Sequence, residues 1–320
     1  MPARYPVPRT RPRAVPARTR GPAVDFGRLR FANRRYRRYL LLGLALILIL
    51  LMILSRCQQG TPYYSAAEDY APQAFDDLLL GQLFTVEVEQ DISWRAVAAV
   101  YLAQTPPDVR GQEEDLPARL AECRALLPLE GPAEGQARDY FRAALGQPGG
   151  DAAWSQYAAL GQIDRVFQGK QFPLALDANF DYADSWQQSR TFGGDRQHEG
   201  CDIMADQGTP VYAACGGVVT KKGWLTLGGW RLGVQSEDGV YYYYAHLSAY
   251  AQGLQEGDAV QKGQLLGYVG DTGYGPEGTS GQFAPHLHFG MYADSGQTAF
   301  NSYPYLKAWQ ALALKDTDEK

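Results

Sequence analysis

A mainly β domain, preceded by a helical spacer region and a single transmembrane helix, is the architecture this 320-residue sequence predicts. Three observations carry it. Residues 190–292 hold 21 of the chain's 35 glycines, set between short apolar runs such as 211–214, 218–220, 232–235 and 265–269, the texture of short strands joined by tight turns. Residues 40–54 are apolar without interruption apart from Gly43. Between these two regions lie amphipathic stretches at helical spacing.

Taken in order, residues 1–38 carry twelve arginines against one acid, Asp25, with prolines at 2, 6, 8, 12, 16 and 22. Such a segment cannot bury a core and is expected to be a disordered arm. Residues 39–55 would span about 25 Å as a helix, against a hydrocarbon thickness near 30 Å, which is short but workable. A cleaved signal peptide competes for the same residues, with an apolar region of about 7 to 15 positions and a brief basic leader. The 38-residue leader here favours an uncleaved anchor. The arginine block then keeps the N-terminus in the cytoplasm and places everything after Ser55 outside, giving a single-pass protein of the cell membrane. A lipid-attachment reading through Cys57 is poor, because Arg56 stands where such signals resemble one another in having a small residue. A polybasic stretch flush against an apolar helix suits anionic lipid headgroups, so the bilayer is the expected partner of residues 39–55. From Arg56 onward there are 18 basic and 34 acidic side chains, a net charge of −16. That balance gives no support for binding nucleic acid.

Residues 56–169 read as an extracytoplasmic helical spacer. Asp91-Ile92-Ser93-Trp94 opens a helix that runs through Leu102 and stops at Pro106-Pro107. Further amphipathic stretches cover 116–127, 134–145 and 151–167. With no repeat and no catalytic constellation, this region is expected to be a stalk, with a lid or targeting module as the second reading. A linker over 172–186 leads into the β domain at 170–305, and 306–320 is expected to be a C-terminal tail.

All four histidines of the chain fall in one pattern: His198 with Asp202 in His-Glu-Gly-Cys-Asp, His246 in Tyr-Ala-His-Leu-Ser, and His286 with His288 in Pro-His-Leu-His-Phe. Two imidazoles and a carboxylate make the three-ligand zinc set that leaves a fourth position open for water. On a strand, His286 and His288 face the same side about 6.6 Å apart, so both can reach one small site. His198 and Asp202 would lie roughly 13 Å apart if extended, too far for one ion, so the segment must turn. Gly200 is expected to supply the backbone freedom for that turn. His246 ends the aromatic strand 240–245, whose alternation would put Tyr242, Tyr244 and His246 on one face. The tyrosines are expected to pack a β surface, with Tyr242 or Tyr244 lining the groove as the weaker reading.

These motifs, in this order and spacing, resemble the lysostaphin-type (LytM-like) zinc metalloendopeptidases, which are peptidoglycan hydrolases. Flanking segments share the resemblance: Gly208-Thr209-Pro210-Val211-Tyr212-Ala213, Gly216-Gly217-Val218-Val219, 257–264 and Gly270-Asp271-Thr272-Gly273. It covers residues 170 to 305. It implies a two-sheet, barrel-like sandwich of the duplicated hybrid motif type, with one zinc on the floor of an open groove. It also implies His198, Asp202 and His288 as the metal ligands, and His246 and His286 as the unligated catalytic pair that handles protons and steadies the oxyanion. The implied function is hydrolysis of peptide bonds in cell-wall stems or cross-links, with peptidoglycan peptides as substrate. The alternative is a non-catalytic envelope scaffold or activator that keeps the fold.

Two features depart from the family pattern. Residues 274–285 are longer than the usual connection, and Gly290 follows Phe289 where relatives commonly carry an acid. Loops beside a site set specificity, so these changes bear on which bond is cut. Among the four cysteines, Cys201 sits beside Asp202, but on an extended stretch it faces the opposite way and is discounted as a ligand. Cys201 and Cys215 are expected to be either a cross-strand disulfide or two buried thiols.

Overall fold

The structure, a computed structural model, describes residues 77–318 apart from 113, 134, 193, 294 and 295. The basic arm 1–38 and the membrane helix expected at 39–55 lie outside the described residues. Among those described, no helix is long and apolar enough to cross a membrane.

The helical part opens with α1 (Asp77–Gln90) and α2 (Trp94–Gln104), followed by α3 (Leu116–Ala125), α4 (Ala137–Leu145), α5 (Gly149–Ala159) and α6 (Gly161–Phe167). Ser93 starts α2 as expected, its Oγ accepting from the Ala96 amide at 3.4 Å; the side chain of Asp115 caps α3 in the same way. Trp94 and every residue from Ala96 to Leu102 are buried, so α2 is wrapped by the others. The amphipathic stretch 151–167 breaks at Leu160–Gly161 into two helices. Helix α1 was not foreseen, although Leu79, Leu80, Leu83 and Phe84 bury one side of it.

Of residues 306–320, expected as a tail, 306–318 instead belong to helix α7 (Tyr303–Asp318), with Tyr305, Leu306 and Trp309 buried. Helix α7 lies against α1: Phe84 stacks on Phe167 at 4.4 Å and meets Tyr305 at 5.2 Å. Trp309 Nε1 donates to the Phe167 carbonyl at 2.9 Å, and Gln162 Nε2 donates to the carbonyl of Asp238 in the β region at 2.8 Å. The helical and β parts therefore share one hydrophobic core.

The β part is mainly antiparallel. Strands β1 (Phe180–Asp181), β4 (Cys201–Ala205), β11 (His286–Ala293), β8 (Tyr241–Tyr250), β7 (Gly229–Gln235), β6 (Gly217–Leu225) and β9 (Ala259–Val260) lie side by side in that order. Strand β12 (Thr298–Phe300) pairs with β11, and β10 (Leu265–Val269) pairs with β5 (Pro210–Tyr212) and with β8. A separate ribbon joins β2 (Ser189–Arg190) to β3 (Arg196–Gln197).

Strand β8 organises the site. Along one edge it pairs with β11 through Ala245 and with β10 from Leu247 onward. The changeover falls on His246, whose φ is +62°. A non-glycine residue in that left-handed region costs on the order of 1–3 kcal/mol and breaks side-chain alternation. Tyr242 and Tyr244 are fully buried, and the Tyr244 hydroxyl accepts from the Ala214 amide at 2.9 Å. Strict alternation would have buried His246 beside them. The bulge turns it to the opposite face, with Tyr241 and Tyr243, so the single face expected for Tyr242, Tyr244 and His246 is corrected.

Candidate metal and catalytic centre

Strands β4 and β11 bring the candidate ligating groups into register. His288 lies directly opposite Asp202, and His286 opposite Met204. The chain bends between β3 and β4, which carries His198 back over Asp202. His198 Nε2, Asp202 Oδ1 and His288 Nδ1 form a triangle with edges of 2.8, 2.9 and 3.0 Å. A tetrahedral ion with bonds of about 2 Å sets its ligand atoms about 3.3 Å apart, close to this spacing.

Proton bookkeeping tests whether a cation fits. His198 Nδ1 lies 2.8 Å from the Ser185 carbonyl, which can only accept, so that nitrogen donates and Nε2 keeps its lone pair. Burial pushes the Asp202 carboxyl up, but the His198 and His288 rings beside it hold it well below the usual range, so Oδ1 has no proton to offer. His288 Nδ1 can bring at most one proton if its ring is neutral, and burial pushes that ring down from the ordinary histidine value. Three electron-rich atoms thus converge with one proton among them. Zinc suits that donor set. Arg190 holds the other carboxylate oxygen, Oδ2, at 2.7 Å, which leaves Oδ1 for the centre.

The remaining histidines stand beside the triangle. His246 Nδ1 donates to the Thr272 carbonyl and His286 Nδ1 to the Ala284 carbonyl, each at 2.8 Å, so both rings turn Nε2 lone pairs inward. Their centroids are 4.7 Å apart, and His286 Nε2 is 3.7 Å from Asp202 Oδ1. Burial pushes His246 down to about 3, so it is a neutral imidazole at physiological pH.

All five side chains line one open cavity of about 800 Å³. Its aromatic wall comes from the long 274–285 connection: Tyr274 stacks on Phe192 at 4.3 Å, and the Phe283 ring lies 4.7 Å from His246. Tyr241 and Tyr243 line the groove rather than Tyr242 or Tyr244. Residue-level reading missed Arg190, the three carbonyls that lock the imidazoles, and Tyr243. Only Thr272, inside the Gly-Asp-Thr-Gly segment, carried a sequence signal.

One further reading changes, and one left open is decided. Gly200 does not have a positive φ; a Cβ there would sit 2.8 Å from His288 Cε1 and 2.7 Å from the Phe289 carbonyl oxygen. Space for the imidazole, not backbone freedom, requires glycine. Cys201 and Cys215 are buried free thiols rather than a disulfide. Cys201 faces the core, with its Sγ 3.5 Å from the Ala183 carbonyl, and is not a ligand. At Gly290 a side chain would press on the Tyr292 ring, 2.7 Å away.

Residues 196–301 match the profile of peptidase family M23. The chain is similar to the L-Ala–D-Glu endopeptidase of Bacillus subtilis, with 47% identity over 156 residues, 48% of this chain and 47% of that protein. It is similar to lysostaphin of Staphylococcus simulans at 38% identity over 115 residues, 35% of this chain and 22% of that protein. The chain therefore spans less than half the length of either curated relative. A crystal structure of a lytM protein from Ruminococcus gnavus aligns over 79% of this chain and 94% of its own, at 32% identity and a TM-score of 0.52.

Proposed function

Because this chain belongs to peptidase family M23, we propose that it is a zinc-dependent endopeptidase that hydrolyses peptide bonds of bacterial peptidoglycan, in stems or cross-links. The observation that carries the reading is the proton-poor triangle of His198, Asp202 and His288, opening on a groove beside two further imidazoles with inward lone pairs. A substrate stem peptide is supported by the similarity to a protein named as an L-Ala–D-Glu endopeptidase.

His198, Asp202 and His288 would hold the ion. Zinc bound there supplies Lewis acidity, which polarises the scissile carbonyl and eases ionisation of water near pH 7. The rest is the work of the chain. His246, neutral and fixed by Thr272, takes the proton of the attacking water at Nε2 and returns it to the leaving amine. His286, beside the Asp202 carboxylate, steadies the developing oxyanion when its Nε2 carries a proton. Arg190 fixes the carboxylate, while Phe283 and Tyr274 screen the imidazoles from water on one side. No His-Glu-x-x-His helix occurs in the sequence, so that motif offers no glutamate base. A scaffold role is not favoured, since none of the five side chains is missing.

We further propose that residues 39–55 anchor the protein in the cell membrane with the arginine-rich arm inside, which the charge asymmetry about Ser55 supports. N-terminal sequencing of the membrane-bound protein should recover residues before 39; a start after residue 55 would overturn the anchor.

The function is tested by digesting purified cell wall and analysing the released muropeptides by mass, beside zinc analysis of variants. His288→Ala and Asp202→Ala should lose metal and activity together. His246→Ala and His286→Ala should keep metal while hydrolysis falls about 10²- to 10⁴-fold. Zinc-loaded wild-type protein that released no peptide would sink the endopeptidase reading; loss of metal from His286→Ala as complete as from His288→Ala would overturn the division of roles.

A further inference from the structure

Two cations at the far side of the groove have no task in the chemistry above. The cavity is lined by Arg190, Arg196, Lys221 and Arg231 against the acids Glu199 and Asp202. Arg190 is committed to Asp202, and Arg196 donates to the Tyr274 hydroxyl at 3.0 Å. Lys221 and Arg231 form no ion pair among the described residues. Arg231 Nη1 is, moreover, buried without a hydrogen-bond partner. A buried guanidinium N–H left unpaired by the protein is costly, so this group is free to take an acceptor from the groove.

The sheet register measures where this group stands. Asp202, His288 and Ala245 are cross-strand neighbours on β4, β11 and β8. On β7, Arg231 falls between Trp230, paired with Leu247, and Leu232, paired with Tyr244, and so lies beside the β8 bulge. Strands are spaced about 4.8 Å, which puts the Arg231 backbone roughly 10 Å from that of His288 on the same face. The floor around it is cleared for the purpose. A Cβ at Gly228 would overlap the Tyr243 hydroxyl, and one at Gly233 would overlap the Tyr241 ring. The two rings, 29° from parallel, therefore extend over β7, the strand that carries Arg231.

We propose that Arg231, assisted by Lys221 and the Tyr241 and Tyr243 phenols, binds a carboxylate of the substrate peptide next to the scissile bond, and so selects acidic over amidated stems. This rests on the endopeptidase reading and names its specificity. A guanidinium fork matches a carboxylate bidentately, and a few ångströms of peptide plus the reach of an arginine span the distance to the metal triangle. A chain that is acidic beyond residue 55 and yet keeps two unpaired cations in its groove is arranged to draw an anion there. The carboxamide analogue would leave the guanidinium N–H unpaired and lose the charge.

The test uses two synthetic peptides of one sequence, differing only in a free carboxylate or a carboxamide on the acidic residue beside the cleaved bond. Zinc-loaded full-length wild type should cleave the carboxylate form about 10- to 100-fold faster in kcat/KM. Arg231→Met should abolish that preference, chiefly through KM on the carboxylate peptide. Arg231→Lys should restore part of it, keeping the charge but not the fork. Equal kcat/KM for the two peptides in wild type, a comparison that needs no variant, or a preference surviving in folded Arg231→Met, would overturn the proposal. Binding of both peptides to zinc-loaded His246→Ala, measured by calorimetry, separates the two ideas. Tighter binding of the carboxylate with no cleavage by wild type would leave the subsite standing and remove the endopeptidase reading; equal binding would remove the subsite.

Discussion

Replacing Gly200 with alanine isolates the packing that sets the metal triangle. The φ of Gly200 lies outside the left-handed region, so it does not call for glycine on that ground. The added methyl would stand 2.8 Å from His288 Cε1, 2.9 Å from Nε2 and 2.7 Å from the Phe289 carbonyl oxygen. An ordinary carbon contact begins near 3.4 Å, so the ring or strand β11 must retreat by about 0.6 Å. Metal sites tolerate about 0.2 Å in ligand distance, a third of that displacement. Overpacking of this kind costs about 1–3 kcal/mol of stability. The larger consequence falls on the ion, since disturbing the support of a ligand typically costs 10- to 100-fold in affinity. A competition titration against a zinc chelator should therefore show Gly200→Ala weakened by at least 10-fold, with the metal-free protein still folded by circular dichroism. Gly208→Ala is the control: its φ is +90° with open space around it, so it should lose stability without losing zinc. Wild-type zinc affinity in Gly200→Ala would refute the steric account of this glycine, and absence of zinc binding by the wild type would refute the site itself.

Trp309→Ala removes a fully buried ring and the donor to the Phe167 carbonyl, so it should cost about 3–5 kcal/mol and melt the helical and β parts in a single transition; two separated transitions in the wild-type scan would contradict the shared core. Burial, with Asp202 beside one thiol and Asp238 beside the other, pushes Cys201 and Cys215 up to about 12. Because both thiols ionise more readily once unfolded, stability should be intact below about pH 9 and decline between 9 and 12, and neither should react with iodoacetamide at pH 8 until denatured; rapid labelling of the native protein would count against it. Activity should also fall in acid as protonation of ligating imidazoles releases the ion, with zinc content and rate declining together; full zinc retention through the loss of rate would point elsewhere. The neutral His246, already pushed down to about 3, should not set that acid limb.

The residue types and their spacing were sufficient for several of these conclusions. Four histidines confined to three motifs announced one site, the glycine-punctuated runs announced strands, and Ser93 marked a helix start, because caps and periodicities act over a few residues. The His-x-His of β11 was legible for the same reason: two residues on one strand share a face whatever surrounds them. What failed was whatever depended on neighbours distant in sequence. Alternation assigned His246 to the face of Tyr242 and Tyr244, and only the changeover of β8 from β11 to β10 holds the left-handed φ that turns it into the groove. Gly200 was expected for its backbone freedom, and the His288 ring packed against it, 88 positions away in sequence, makes space the requirement instead. The carbonyls of Ser185, Thr272 and Ala284 fix which nitrogen of each imidazole carries its proton, yet a carbonyl is common to every residue and leaves no mark on sequence. Local preference marked the elements and the candidate site residues; long-range pairing and packing decided which way each of those side chains points, because those energies exist only once the strands have met.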